Sequence, residues 1–345
     1  MNEGLSLGRV SIGHGRPVVV IAEAACEHLG SLEVAMRMVD TARQAGVDVI
    51  KFQLHVPEEM IPGSIRFWGG SMDDVLARYE LGPEGHAALL RHCEEVGIQY
   101  LCTPFSASAV GILDGLGVAG FKTGSGELTN IPMQRAIART GKPVIVSTGM
   151  AELAEIDETV EALRAENARF MLTHCTSAYP PRYEEVNLRF IPVLAERYGV
   201  LVGHSDHTPD LWTALGAVAV GAVLVEKHFT LDRSLRGPDS HISLEPHELA
   251  QLVDGIRKLE AALGDEKRVH EDEAVVRAWA HHSVVAVHDV AAGERLAADD
   301  VAVKRPGTGI PAKHLDDVIG RVAARDIAAD TSLHWEDLAG DASRL

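Results

Sequence analysis

Eight short apolar, β-branched runs recur between residues 18 and 229, at 18–24, 47–54, 98–104, 119–124, 144–148, 170–176, 200–205 and 222–229. Between them lie segments whose apolar residues repeat at helical spacing. Ser31 precedes one such face, made of Val34, Ala35, Met38, Val39 and Ala42 and stopped at Gly46. Leu249, Leu252, Val253, Ile256, Leu259 and Leu263 form another, ending near Gly264. Strand and helix in alternation predict parallel pairing, because each crossover must carry the chain back to the same end of the sheet. Eight such units in about 250 residues match a (β/α)8 TIM barrel. The doubly wound alternative, in its nucleotide-binding form, requires GxGxxG after the first strand, and IAEAACEHLGS lacks it.

A barrel of this kind carries its chemistry where the strands end. The stretch 200–230 shows the pattern best: VLVGHSDHT, a helical segment at 209–221, then AVLVEKHFT. The first run breaks into Ser205, Asp206 and His207, the second into Glu226, Lys227 and His228. Neighbouring strands would set His207 and His228 at one rim, close enough to share a metal ion. The other strand ends carry Glu23, Lys51 with Gln53, Thr103, Lys122 with Ser125 and Glu127, Ser147, and Thr176 with Ser177. Each alone reads as a solvated or hydrogen-bonded group, but coincidence at one rim does not.

Lys51 and Lys122, with the hydroxyls of Thr103, Ser125, Ser147 and Ser205, suit a phosphate group. Gly124 and Gly126 of KTGSGE let the backbone approach a ligand. Two imidazoles with open coordination positions suit a divalent metal acting as a Lewis acid. Glu23, Glu127 and Asp239 remain for hydroxyl binding or proton transfer.

A formal charge of −18 argues against nucleic acid as partner. No run reaches the roughly 18 apolar residues of a membrane span, and the amino terminus lacks a basic, then apolar, leader. Cys26, Cys93, Cys102 and Cys175 show neither CxxC spacing nor density, so reduced thiols in a cytoplasm are expected. The barrel is expected over residues 1–264, with an unusually long loop at 57–82 before a helix near 83–96. Residues 265–282 are charged and helix-prone and read as a linker. Residues 283–345 read as a small mostly-β domain, near the lower size limit for standing alone.

The ordered motifs IAE at Ile21, KFQ at Lys51, TPFS at Thr103, KTGSGE at Lys122, STGM at Ser147, HCTSAYP at His174, SDHT at Ser205, EKHFTLDRS at Glu226, GPD at Gly237 and KRPGTGI at Lys304 resemble the N-acetylneuraminate (sialic acid) synthase family. The resemblance implies a barrel followed by an antifreeze-like SAF domain, swapped within a homodimer. It implies condensation of phosphoenolpyruvate with an N-acetylmannosamine-type sugar, with Mn2+ or Mg2+ held by His207 and His228. Lys51, Gln53, Thr103, Lys122, Ser125, Ser147, Ser177, Ser205 and Glu226 then surround the substrates. Glu23, Tyr179 and Asp239 face the sugar, Glu23 or Glu127 handles protons, Arg305 reaches in from the second subunit, and Trp279 lies near the acyl group. Two departures stand out: in Glu27-His28-Leu29-Gly30 a carboxylate replaces the amide of the family's Asn-His-x-Gly, and Ser177 replaces a frequent Asn. They predict an acceptor other than plain N-acetylmannosamine. The alternatives are a Schiff-base aldolase on Lys122 or Lys51, or a non-catalytic sugar-binding protein.

Overall fold

The computed structural model describes residues 4–59, 66–67 and 70–340. The chain divides into two compact units, Met1–Gly264 and Asp265–Leu345. In the first, eight strands run parallel: β1 (Val19–Ala25), β2 (Val49–Leu54), β3 (Gln99–Pro104), β4 (Phe121–Thr123), β5 (Val144–Ser147), β6 (Phe170–Cys175), β7 (Val202–Asp206) and β8 (Leu224–His228). Their ladder order is β3-β2-β1-β8-β7-β6-β5-β4, so the first strand pairs with the last and β3 meets β4 at the seam. This is a TIM barrel, and every apolar run of the sequence holds one of its strands.

The strands are buried on both faces, which is why they read as continuous apolar runs. Outward residues such as Val20, Ile50, Phe52, Tyr100 and Val225 pack under helix residues such as Met38, Val39, Leu113, Ile137 and Leu252. Inward residues Val19, Ile21, Val49, Leu101, Ile145, Met171 and Leu224 form a second core. Leu5, Leu7 and Ile12, from an amino-terminal hairpin (Leu5–Leu7 paired with Val10–Ile12), join that inner core. Full burial of each such side chain stabilises the fold by roughly 1.5–3 kcal/mol. Apolar packing therefore fills the barrel's interior below the strand ends, leaving that rim for polar groups.

Local signals behave as read. Ser31 Oγ accepts from Val34 N at 3.3 Å, capping the helix Leu32–Gln44 that buries Ala35, Met38, Val39 and Ala42. The long loop differs from expectation: Met72–Tyr79 is helical, while residues 60–65 and 68–69 of that loop lie outside the described residues. The charged stretch after Gly264 contains the helix Glu271–Ala280, with Glu271, Asp272 and Glu273 in its first turn where the helix dipole favours them.

The second unit pairs Ser283–Ala286 with Val301–Lys304 and Val322–Ala323 with Leu338–Ala339, both antiparallel. Val284, Val290, Leu296, Ile310, Ile327 and Leu333 are among its core residues. Gly293 takes φ +85°, a left-handed backbone that favours glycine. Among the described residues no helix is long and apolar enough to cross a membrane. All four cysteines are buried and free.

Candidate active site

Strand register delivers the charged groups. Glu23 on β1 pairs with Lys51 on β2 and with His228 on β8, while Ser205 on β7 pairs with Glu226 on β8. Side chains alternate along a strand. Glu226 and His228 thus line the barrel mouth, whereas Lys227 makes a buried ion pair with Asp206 at 2.8 Å. A register shift between Glu23 and Ala25 interrupts the β1–β2 ladder at the rim, and such bulges re-aim side chains beside active sites.

Four buried charges meet there. Lys51 Nζ lies 2.6 Å from Glu23 Oε2, 2.9 Å from Thr103 Oγ1 and 3.6 Å from Glu226 Oε1. Lys122 Nζ is 3.5 Å from the same Glu226 oxygen. Gln53 Nε2 donates to Glu23 Oε1 at 2.9 Å. Burial pushes the Glu23 carboxyl up to about 7 against the pull of Lys51, with repulsion from Glu226 adding to the rise. Burial works against charge on Lys51, but Glu226 and Glu23 more than offset it and raise its pKa. Burial also opposes charge on Glu226, yet Lys122 and Lys51 hold it below the usual carboxylate value. Lys51 is therefore a held cation rather than the free amine that a Schiff base needs. Glu127 is pushed up to about 7 by burial, despite its own backbone hydrogen bond and the nearby Lys122 and Lys51. Glu226 Oε2 and Glu127 Oε2 are buried without a hydrogen-bond partner, so each is ready to meet a ligand donor.

Hydroxyls complete the ring. Ser125 Oγ and Ser147 Oγ are 2.9 Å apart, and Gly149 N donates to Ser125 Oγ at 3.1 Å. A Cβ at Gly149 would lie 2.2 Å from Ser177 Oγ and 2.5 Å from Ser125 Oγ, so a side chain there would displace the hydroxyls of this cradle.

The two imidazoles face one another, with ring centroids 5.3 Å apart. His207 Nδ1 lies 3.0 Å from Thr176 O; the neutral tautomer that donates there leaves the Nε2 lone pair free. Burial drives the His228 pKa well below its ordinary value, which keeps that ring neutral. Its Nδ1 is buried without a hydrogen-bond partner and lies 3.6 Å from Asp239 Oδ2. Among the described residues no group of three His, Cys, Asp or Glu is placed to hold a metal by itself. The pair fits an ion whose remaining positions are filled by substrate and water, as catalytic metals require.

These groups line a chamber of about 200 Å3 bounded by Glu23, Lys51, Gln53, Thr103, Lys122, Ser125, Glu127, Ser147, Ser177, Tyr179, Ser205, His207, Glu226 and His228. Gln53, Phe105, Glu127, Tyr179 and His228 also line a second chamber of about 920 Å3, which Asp239 borders as well. Tyr179 covers His207, ring centroids 4.2 Å apart. The barrel thus gathers every site residue read from its own sequence. Trp279 and Arg305 belong to the second unit, where the guanidinium stands 5.4 Å from the centre of the indole ring.

Sequence reasoning missed several residues of the larger chamber. His55 stacks on Phe105 with centroids 4.1 Å apart, and His241 Nε2 donates to Tyr179 O at 3.1 Å. His241, two positions after Asp239 in the PDSH turn, was the one with a readable signal. Glu27, which replaces the amide of the family motif, is bound within the barrel itself. Its carboxylate accepts from Asp239 N and Ser240 Oγ.

An eight-stranded barrel whose rim holds two buried lysines, a ring of hydroxyls and paired imidazoles is an α/β barrel with a polar chamber at its strand ends. Comparison with known proteins narrows this class. The NeuB family model matches residues 38–268, and that of the SAF domain matches residues 281–339. The chain belongs to the NeuB family. It is 35% identical over 328 residues to the N,N'-diacetyllegionaminic acid synthase of Campylobacter jejuni, covering 91% of this chain and 98% of the relative. It is 32% identical over 336 residues to human N-acetylneuraminate-9-phosphate synthase, with 94% of each covered. The crystal structure of an N-acetylneuraminic acid (sialic acid) synthetase from Leptospira borgpetersenii superposes with a TM-score of 0.73 at 34% identity, covering 80% of this chain and 96% of that one.

Proposed function

We propose that this chain condenses phosphoenolpyruvate with an N-acylated, mannosamine-type amino sugar, giving a nonulosonic acid and phosphate. The observation that carries the reading is the small chamber: two buried lysines ringed by hydroxyls, opening past two facing imidazoles into a larger space. In the proposed reaction C3 of phosphoenolpyruvate bonds to the aldehyde carbon of the open-chain sugar, water adds at C2, and the tetrahedral intermediate loses phosphate by C–O cleavage. Lys51 and Lys122 oppose the substrate's negative charge, and Thr103, Ser125, Ser147, Ser177 and Ser205 donate to its oxygens. Glu23 and Glu127, each with a pKa raised to about 7, stand near equality of acid and base forms at neutral pH. Tyr179 and Asp239 border the sugar. Mn2+ or Mg2+ held by His207 and His228 would supply Lewis-acid polarisation of the aldehyde.

The described lining of the larger chamber includes the carboxylates of Glu59, Glu127 and Asp239, which would repel a second phosphate. That supports an acceptor without a phosphate of its own. Val275, Val276 and Trp279 are exposed on Glu271–Ala280, a helix with no buried residue. This uncovered face supports a domain-swapped homodimer, with Arg305 serving the site of a second copy. The free, buried thiols support a cytoplasmic location. Incubation with phosphoenolpyruvate, Mn2+ and a panel of acetamido sugars, with and without a 6-phosphate, tests the reading by phosphate release. Release is expected with an unphosphorylated acceptor; none with any sugar would remove the proposal.

A further inference from the structure

None of the substrate or metal roles falls on Glu27, yet both of its carboxylate oxygens accept a hydrogen bond inside the barrel unit. It is 1% exposed. Oε1 accepts from Asp239 N at 2.8 Å and Oε2 from Ser240 Oγ at 2.5 Å. A Cβ at Gly237 would sit 2.5 Å from either carboxylate oxygen, so glycine is what lets the chain close over the carboxylate. Glu27 thus fills a nest formed by residues 237–240, bridging more than two hundred positions of sequence. The same turn carries Asp239, which borders the larger chamber with its Oδ2 3.6 Å from His228 Nδ1.

We propose that Glu27 is a positioning residue that fixes the 237–240 turn and so presents Asp239 to the acceptor chamber beside His228. Hydrogen bonds to an ionised acceptor are shorter and stronger than neutral ones, and two of them converge on one short turn. The replaced amide of the family motif is then a change in how the turn is held, rather than a new contact to the sugar. A glutamine at this position keeps an oxygen for Asp239 N, while Ser240, whose hydroxyl also accepts, turns to meet the amide. An alanine leaves both donors without a partner.

The kinetic half of the test rests on the proposed function; the exchange half does not. In metal-free full-length protein, Glu27→Ala is expected to speed amide hydrogen exchange across 237–241 by about tenfold, the effect of losing one strong hydrogen bond. Glu27→Gln should stay within about threefold of wild type. With an acceptor that wild type turns over, Glu27→Ala should raise the acceptor KM by about tenfold and leave the phosphoenolpyruvate KM within about twofold, and Glu27→Gln should restore the acceptor KM. Unchanged exchange in Glu27→Ala, or a phosphoenolpyruvate KM rising in step with that of the acceptor, overturns the proposal. Should Glu27→Ala fail to fold, Ser240→Ala removes one of the two donors and must give a smaller rise in exchange; no rise overturns it equally. A wild-type protein inactive on every sugar would defeat the proposed reaction, and the exchange result would still decide the role of Glu27.

Discussion

Replacing Lys51 by methionine keeps an unbranched stem of similar length and deletes the ammonium group. That group lies 2.6 Å from Glu23 and 3.6 Å from Glu226, with all three side chains buried. Removing one partner of a buried pair leaves an uncompensated charge and costs about 3–5 kcal/mol. Here the loss depends on pH, because Glu23 can take up a proton. Its carboxyl is raised to about 7 even with Lys51 in place, and without the lysine it rises further. A carboxyl whose folded pKa exceeds its unfolded value makes the fold lose stability as pH climbs from the unfolded pKa to the folded one. Each further unit of rise adds about 1.4 kcal/mol of loss above both values. Urea unfolding followed by circular dichroism, for wild type and Lys51→Met at pH 5.5 and 8.5, measures this directly. The variant should be weaker by about 3 kcal/mol at pH 8.5 and by less than about 1.5 kcal/mol at pH 5.5. A gap equal at the two pH values, or larger in acid, would refute the reasoning.

Three other perturbations probe separate parts of the account. Gly149→Ala, whose Cβ would crowd Ser125 and Ser177, should raise the phosphoenolpyruvate KM by about tenfold and spare the acceptor KM; steady-state kinetics with each substrate varied in turn decides it. His207→Ala should abolish metal-dependent turnover and weaken Mn2+ binding, read by electron paramagnetic resonance, while the circular dichroism spectrum stays that of a folded barrel. Glu80 accepts from the backbone N–H groups of His55, Leu81 and Gly82 and lies 3.2 Å from His86 Nε2. Burial opposes its charge, but the His55 and His86 hydrogen bonds hold its pKa far below the usual value. Its contribution is therefore present above the unfolded carboxyl pKa and lost as pH falls through the folded one. Glu80→Gln should cost about 1–3 kcal/mol at pH 7, and the difference from wild type, followed by chemical unfolding, should begin to shrink once pH drops below about 4.5.

The barrel was legible because parallel strands buried on both faces leave an unbroken apolar run, and each of the eight runs ends in a group that lines the mouth or precedes one. His207 and His228 could be read for the same reason: they occupy matching places after consecutive runs. What stayed hidden depends on contacts between distant segments. Nothing near Glu27 says that its partners are Asp239 and Ser240, and nothing near Gly149 says that two serine hydroxyls occupy the place a side chain would take. A motif comparison marks Glu27 as different, but only the fold shows that the carboxylate faces a backbone turn. Likewise His55 and Phe105 follow separate strands, β2 and β3, and their stacking depends on how those strands curve together. The helix-prone reading of residues 265–282 is met by Glu271–Ala280, whereas Met72–Tyr79 lies in a stretch read as loop.

The central claim is that two imidazoles grip one divalent cation at the edge of a chamber shaped for an enol phosphate. A crystal of this protein grown with Mn2+ and phosphoenolpyruvate tests it most directly. The account predicts the ion bonded to a ring nitrogen of both His207 and His228, with the phosphate seated against Lys51 and Lys122. An ion bound elsewhere, or a phosphate lodged away from the two lysines, would contradict it.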